Sequence, residues 1–346
     1  MATANPVTKS LMFLAGLVLV SAVAPRSTRA GEDLGQKFEL RDGDRVALIG
    51  ATFIEREQRY GFLELALQTR WPDRRILFRN LGWSGDNVTG ESRLYFGTYR
   101  GTSTRQEGLD HLFKTLDLFR PTVAFVGYGS NESFEGQAGL DKFVASYTQL
   151  LERLEATGAR IVLLSPIKHE TLGPPVPDPA ERNSNLELYT AAIRRLADGK
   201  KYRFVDLFRG LETLKRPGVV VTDNGMHLTE TGYFLATVAI EAGLGLTVSS
   251  TAKSAVAPGR QVRISEGAQA LRRLIVEKNR LFFHRYRPTN DTYLRGFRAY
   301  EQGNNAGEIT QFDPLVEEKD REIHEGKQRL PGRTISAPAR REVVRP

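Results

Sequence analysis

The chain of 346 residues contains no cysteine. That excludes a disulfide framework, a thiol nucleophile and thiolate metal ligation. A chain this long buries enough surface to fold without such staples. The body also lacks net charge. Of the total of +8, Lys9, Arg26 and Arg29 supply +3, and Lys327, Arg329, Arg333, Arg340, Arg341 and Arg345 against Glu342 supply +5. Residues 31–326 are therefore neutral overall and offer nucleic acid no attracting field. No set of His, Asp and Glu shows metal-ligand spacing. Gly127-Tyr128-Gly129 lacks the later glycine and the lysine of a phosphate loop. Neither a metal nor an organic cofactor is expected. There is no internal repeat.

Long apolar runs are scarce as well. Residues 11–24 form the one marked run, and it is short for a bilayer span. It follows Lys9 and precedes Thr28-Arg29-Ala30, which places small residues at −3 and −1 of a cleavage site. Residues 1–30 thus read as a signal peptide cut after Ala30, because cutting after Ala24 would set Pro25 beside the scissile bond. The alternative is an uncleaved anchor. The expectation is a secreted or periplasmic protein with no stable membrane insertion once the leader is removed. The last residues, 326–346, are basic and proline-containing and read as a disordered tail.

What is present is a β/α alternation. Short apolar runs at 45–50, 75–81, 123–126, 160–164 and 202–206 read as buried strands. Between them lie helical periods at 54–70, 109–119, 143–154 and 186–196, with a last helix over 229–242. Pro72 and Pro121 stop two of these helices, and Gly158 ends a third. Five strands alternating with helices predict a three-layer α/β/α domain over 31–245 with a five-stranded parallel sheet. Residues 246–261 read as a linker. Residues 262–325 read as a helical and irregular extension packed on the domain, with a helical face on Leu271, Leu274, Ile275, Lys278, Leu281 and Phe282.

Ligands of such sheets bind beyond the carboxyl ends of the strands. Four distinctive segments fall there. They are Gly50-Ala51-Thr52, the loop from Asn80 to Asp86 that contains Trp83-Ser84-Gly85, Gly129-Ser130-Asn131-Glu132, and Asp223-Asn224-Gly225-Met226-His227. A His near a carboxylate is the general-base half of a nucleophilic triad. A glycine amide and an Asn side chain are donors suited to a developing oxyanion. Each signal alone is weak, since a lone loop His is more often structural and Asn and Gly serve turns. Their convergence at one sheet edge is what points to acyl transfer. His169 and Glu170, after the fourth strand, are further candidates to line the cleft. His111 reads as a surface residue of its helix, and His284, Arg285 and Arg287 as a basic face beside buried aromatics.

In this order the four segments resemble the sequence blocks of the SGNH/GDSL hydrolase superfamily, over roughly residues 40–243. The resemblance implies the flavodoxin-like SGNH fold and an esterase acting on carbohydrate or lipid esters without metal or cofactor. It implies Gly85 and Asn131 as oxyanion donors and His227 as the base. Two positions depart from the pattern. Thr52 stands where the family has its nucleophilic Ser, and its methyl group crowds the hydroxyl and restricts χ1. Asn224 stands where the family has the Asp three residues before the His, with Asp223 one position earlier. Trp83, Ser84 and Ser130 are candidates for substrate contact, and the two serines are also alternative hydroxyls. Two expectations stand: a hydrolase of a glycan or other small ester in which Thr52 attacks, His227 accepts the proton and Asp223 or Asn224 orients it, or a catalytically degenerate carbohydrate-binding or scaffold protein on the same fold.

Overall fold

The computed structural model describes Met1 and residues 37–93, 105–247, 262–288, 291–294, 298–301 and 305–330. The leader, residues 248–261 of the expected linker and residues 331–346 of the basic tail lie outside the described residues.

The first strand, β1, is Arg45–Gly50, followed by α1 (Thr52–Glu57) and α2 (Phe62–Arg70). Next come β2 (Leu77–Asn80), α3 (Arg105–Phe119), β3 (Val123–Gly127) and α4 (Leu140–Ala156). Then follow β4 (Arg160–Leu164), α5 (Ala180–Lys200), β5 (Arg203–Val205), α6 (Leu207–Leu214) and α7 (Glu230–Gly243). The C-terminal part adds α8 (Glu266–Tyr286), a short α9 (Asp291–Leu294) and α10 (Phe312–Gln328).

The five strands form one sheet in the order β2-β1-β3-β4-β5, and every pairing is parallel. Alternate residues of each strand serve opposite faces. Val46, Leu48, Val123, Phe125, Val162 and Leu164 join one core cluster with α2, α7 and α8. Ala47, Ile49, Ala124, Val126, Ile161 and Leu163 join the other with α3, α4 and α5. With both faces covered, the strands are apolar runs rather than alternating ones, which is why they are legible in the sequence. On α4 the buried Phe143, Tyr147, Leu150, Leu151 and Leu154 keep the helical period.

The single helix expected over 54–70 is two helices. α1 ends at Glu57, and Gly61, at φ 65 in the left-handed region, is the N-cap from which α2 starts. A Cβ there would also stand 3.0 Å from Ile275 of α8. Glu57 caps the new helix, with Oε1 accepting from the Leu63 amide at 2.7 Å. Its burial pushes the carboxyl up to about 8.

β2 is an edge strand, and a bare edge invites pairing with another chain. The Leu77 and Leu81 amides donate inward to Asp44 and Leu48, so the Phe78 carbonyl faces the open side. Lys278 of α8 donates to that carbonyl at 3.1 Å and to Glu64 at 2.6 Å, with both side chains almost fully buried. Arg79 of β2 pairs with Asp320 of α10 at 2.6 Å. The C-terminal helices thus close the edge of the sheet.

Candidate functional site

The carboxyl ends of β1 and β3 lie side by side, and this is where the site is built. Gly50 pairs with Gly127 in register, and a Cβ on Gly50 would stand 2.3 Å from the Gly127 carbonyl oxygen, so only glycine fits. The chain turns at Ala51, whose amide donates to the Gly127 carbonyl at 3.2 Å, and Thr52 opens α1. The loop after β2 is stitched to this turn. The Trp83 amide donates to the Gly50 carbonyl at 3.0 Å, and the Gly85 amide donates to Thr52 Oγ1 at 3.0 Å.

The loop after β3 is tied to the same segment. Asn131 Nδ2 donates to the Asp86 carbonyl at 2.6 Å. Glu132 accepts from the amides of Val88 at 2.8 Å and Gly129 at 2.9 Å, and burial pushes its carboxyl up to about 7. Beneath both loops lies a fully buried ion pair, Arg93 Nε to Asp86 Oδ2 at 2.5 Å. Tyr128 donates to the same carboxylate oxygen at 2.9 Å, Arg93 Nη2 donates to the Leu81 carbonyl at 2.9 Å, and Tyr286 of α8 bonds Arg93 Nη1. A buried charge pair with these further hydrogen bonds holds one geometry.

The fourth segment is a tight loop closed by a bridge between Thr222 and Leu228. Glu170 anchors it, accepting from the amides of Val221 at 3.0 Å and Thr222 at 2.9 Å and from the Thr222 hydroxyl at 2.7 Å. Burial alone would raise this carboxyl, but Lys215 and Thr222 outweigh it and hold Glu170 below its usual range. Thr229 caps α7, accepting from the Gly232 amide.

Within this loop Asn224, rather than Asp223, faces the imidazole. Asn224 Nδ2 stands 3.2 Å from His227 Nδ1. Asn224 Oδ1 accepts from the amides of Met226 at 3.1 Å and His227 at 2.9 Å, so the amide cannot be reversed without losing both bonds. The amide therefore donates to Nδ1, and the neutral ring carries its proton on Nε2. Asp223 turns its carboxylate to Arg56, with Nη2 to Oδ2 at 2.8 Å. Burial and the nearby Arg56 guanidinium hold His227 below the ordinary His value, against the opposing pull of Asp223.

Thr52, Ser130, Asn131, His169 and His227 line one cleft. Gly85 touches this constellation through its bond to Thr52. Trp83 and Ser84 do not line the cleft. Trp83 is 8% exposed, covered by the Arg287 guanidinium at 4.1 Å from its ring and edge-on to Tyr286. The Ser84 amide bonds Glu55. Glu170, a sequence candidate for the lining, points instead into the backbone of the His227 loop. His111 is half-buried on its helix and stacks on Tyr286 at 5.0 Å between ring centroids. Among the described residues no group of three or more His, Asp or Glu is placed to hold a metal ion.

Several residues of this assembly lie outside the sequence candidates. Glu55 bonds the Ser84 amide and pairs with Arg287 at 3.0 Å, and Arg56 holds the His227 loop through Asp223. Both follow Thr52 within four positions, but a charged residue on an amphipathic helix gives no sign of which distant segment it pairs with. Arg93 is fully buried and equally indistinguishable from a surface arginine in the sequence.

The protein families provide one match over this region, the GDSL-like Lipase/Acylhydrolase family, at residues 49–235, more than half of the chain. Among solved structures, the chain is similar to a gut microbial diltiazem-metabolizing enzyme, with a TM-score of 0.58 and 11% identity, covering 85% of this chain and 97% of that one. It is similar at a TM-score of 0.47 and 16% identity to Axe2, an acetylxylan esterase from Geobacillus stearothermophilus, covering 62% of this chain and 100% of that one. No curated protein matches the chain significantly. At 11% identity the likeness to the first of these speaks for the fold alone. The matched span contains all four site segments, from Gly50 to His227, and the chain belongs to the GDSL-like lipase/acylhydrolase family.

Proposed function

We propose that this chain is an exported hydrolase of carboxylic esters with an attenuated reaction centre. The observation that carries the reading is the gathering of Thr52, Asn131 and His227 around one cleft, with the Gly85 amide on the Thr52 hydroxyl. Thr52 Oγ1 attacks the ester carbonyl carbon and its proton passes to His227 Nε2. The Gly85 amide and the Asn131 side chain hold the oxyanion. Collapse expels the alcohol, which takes the proton from His227. Water then repeats the sequence on the acyl-Thr52 ester, releasing the acid and restoring the hydroxyl.

Two features slow this reaction. The Thr52 methyl group restricts the rotamer of the attacking oxygen. More important, the base must present a bare Nε2, and the Asn224 bond favours the opposite tautomer. Reaching the competent form requires Asn224 to give up its two backbone bonds. That same observation favours a second reading, a binding protein that keeps the fold and the cleft without turnover.

Hydrolysis of 4-nitrophenyl acetate by the exported chain, by His227→Ala and by Thr52→Ser separates the two. The expected outcome is slow hydrolysis by the wild type, loss in His227→Ala and a gain in Thr52→Ser. Equal rates in wild type and His227→Ala remove the catalytic assignment. Saccharide binding by calorimetry would then support the second reading.

A further inference from the structure

Several residues of the cleft have no part in the acyl-transfer steps. Phe134 lines the cleft yet is 66% exposed, and Met226, also of the lining, is 39% exposed. An exposed aromatic ring in the lining of a cleft offers a ligand apolar contact surface. The Phe134 ring is held in place from behind. The Arg182 guanidinium lies 3.2 Å from its centroid, and Arg182 Nη2 donates to the Ser130 carbonyl at 2.9 Å and to Ser133 Oγ at 3.1 Å. Deeper in the cleft, His169 is 8% exposed, and its ring makes no hydrogen bond to any described residue. Its backbone is clamped on both sides by Asn183, which accepts from the His169 amide at 2.8 Å and donates to its carbonyl at 3.0 Å. Adjacent residues in the first turns of α5, Arg182 and Asn183, thus fix an aromatic plate and a buried imidazole.

We infer that Phe134 and His169 form a subsite for the sugar ring of the substrate, the alcohol side of the ester. This rests on the ester-hydrolase reading and names its substrate class. A pyranose or furanose presents an apolar C–H face, which an exposed and immobilised aromatic ring matches, and hydroxyls around its rim. A neutral imidazole offers one donor and one acceptor, the complement of a hydroxyl. His169 is kept neutral, held down to about 4 by burial and by the neighbouring Arg182 and His227. A long acyl chain in the same place would bury the imidazole nitrogens without partners, an unfavourable state for polar groups. The apolar wall alone fits either occupant; the unpartnered His169 ring selects the polyol.

The test compares three esters, a monoacetylated methyl glycoside, 4-nitrophenyl acetate and 4-nitrophenyl octanoate, on wild type, Phe134→Ala, Phe134→Tyr, His169→Phe and His169→Gln. The glycoside is expected to lose about tenfold or more in kcat/KM relative to the aryl acetate in Phe134→Ala and His169→Phe, chiefly through KM. Phe134→Tyr and His169→Gln are expected to restore much of it. Equal losses on glycoside and aryl acetate, or a loss confined to the octanoate, overturn the subsite. If the wild type cleaves none of the three, the hydrolase reading fails by itself. Calorimetry with the methyl glycoside then decides the subsite: wild-type binding weakened by Phe134→Ala and His169→Phe supports it, and no wild-type binding overturns it.

Discussion

The side-chain amide of Asn224 stands 3.2 Å from Nδ1 of His227, donor toward acceptor, in the place where a working triad sets a carboxylate. The two backbone amides on Asn224 Oδ1 fix this polarity. The imidazole is thus oriented, but with its proton on the nitrogen that would have to receive one.

Asn224→Asp is therefore expected to raise the esterase rate, by about 10² to 10⁴ in kcat. A carboxylate would accept the same two backbone bonds, accept from Nδ1–H and leave Nε2 bare. It would also raise the pKa of His227 by stabilising the imidazolium. Initial rates against pH measure both effects. An unchanged rate together with an upward His227 titration would show that the tautomer does not limit turnover.

Arg56 joins α1 to the His227 loop through Asp223, and its charge helps to depress the pKa of His227. Arg56→Gln removes that charge and frees Asp223, whose field favours the imidazolium. The acid limb of the pH–rate profile and the His227 ring titration by NMR are both expected to move to higher pH. A downward move would contradict this balance of fields.

Lys278 carries two jobs on the edge of the sheet, since it neutralises Glu64 and satisfies the Phe78 carbonyl. Burial already pushes the Glu64 carboxyl up against the pull of Lys278. Lys278→Met leaves the buried Glu64 carboxyl unpartnered and is expected to cost about 3–5 kcal/mol in urea unfolding. Lys278→Met with Glu64→Leu is expected to recover much of that loss, because the desolvation penalty leaves with the charge. A harmless single substitution would show that the edge is not closed by this pair.

Glu57 predicts a pH dependence of stability. Its folded-state pKa of about 8 lies above the ordinary carboxylate value. Between those two values the folded chain holds a proton that the unfolded chain has released, so its contribution declines as pH rises from about 5 toward 8. In Glu57→Gln that decline is expected to be shallower. Urea midpoints at several pH values check it, and parallel curves for the two proteins would place the titration elsewhere.

The strands and the site segments are legible because their constraints are local. A strand buried on both faces must be an apolar run, as at Val123–Gly127. The turns after β1 and β3 approach too closely for a Cβ, so Gly50 appears as itself. Other features escaped because their cause lies far along the chain. Gly61 divides a continuous helical period through a left-handed turn packed on Ile275. The α10 helix follows a stretch without period, and its buried residues Val316, Ile323 and Lys327 are spaced to meet helices and loops elsewhere. Trp83 looks like a substrate contact from its motif but is buried beneath Arg287, a residue 204 positions later in the chain.

The residues alone determined the alternation of strands and helices, the place of the site at one sheet edge, and the chemistry available there, since these follow from periodicity and from which groups a side chain carries. Only the tertiary structure decided which groups meet. It turned Asp223 to Arg56 and left Asn224 on the imidazole, because a loop held by Glu170 and closed at Thr222 and Leu228 allows one side chain toward the ring. It also set Phe134 and His169 into one cleft, through two neighbouring residues of a helix that neither segment encodes.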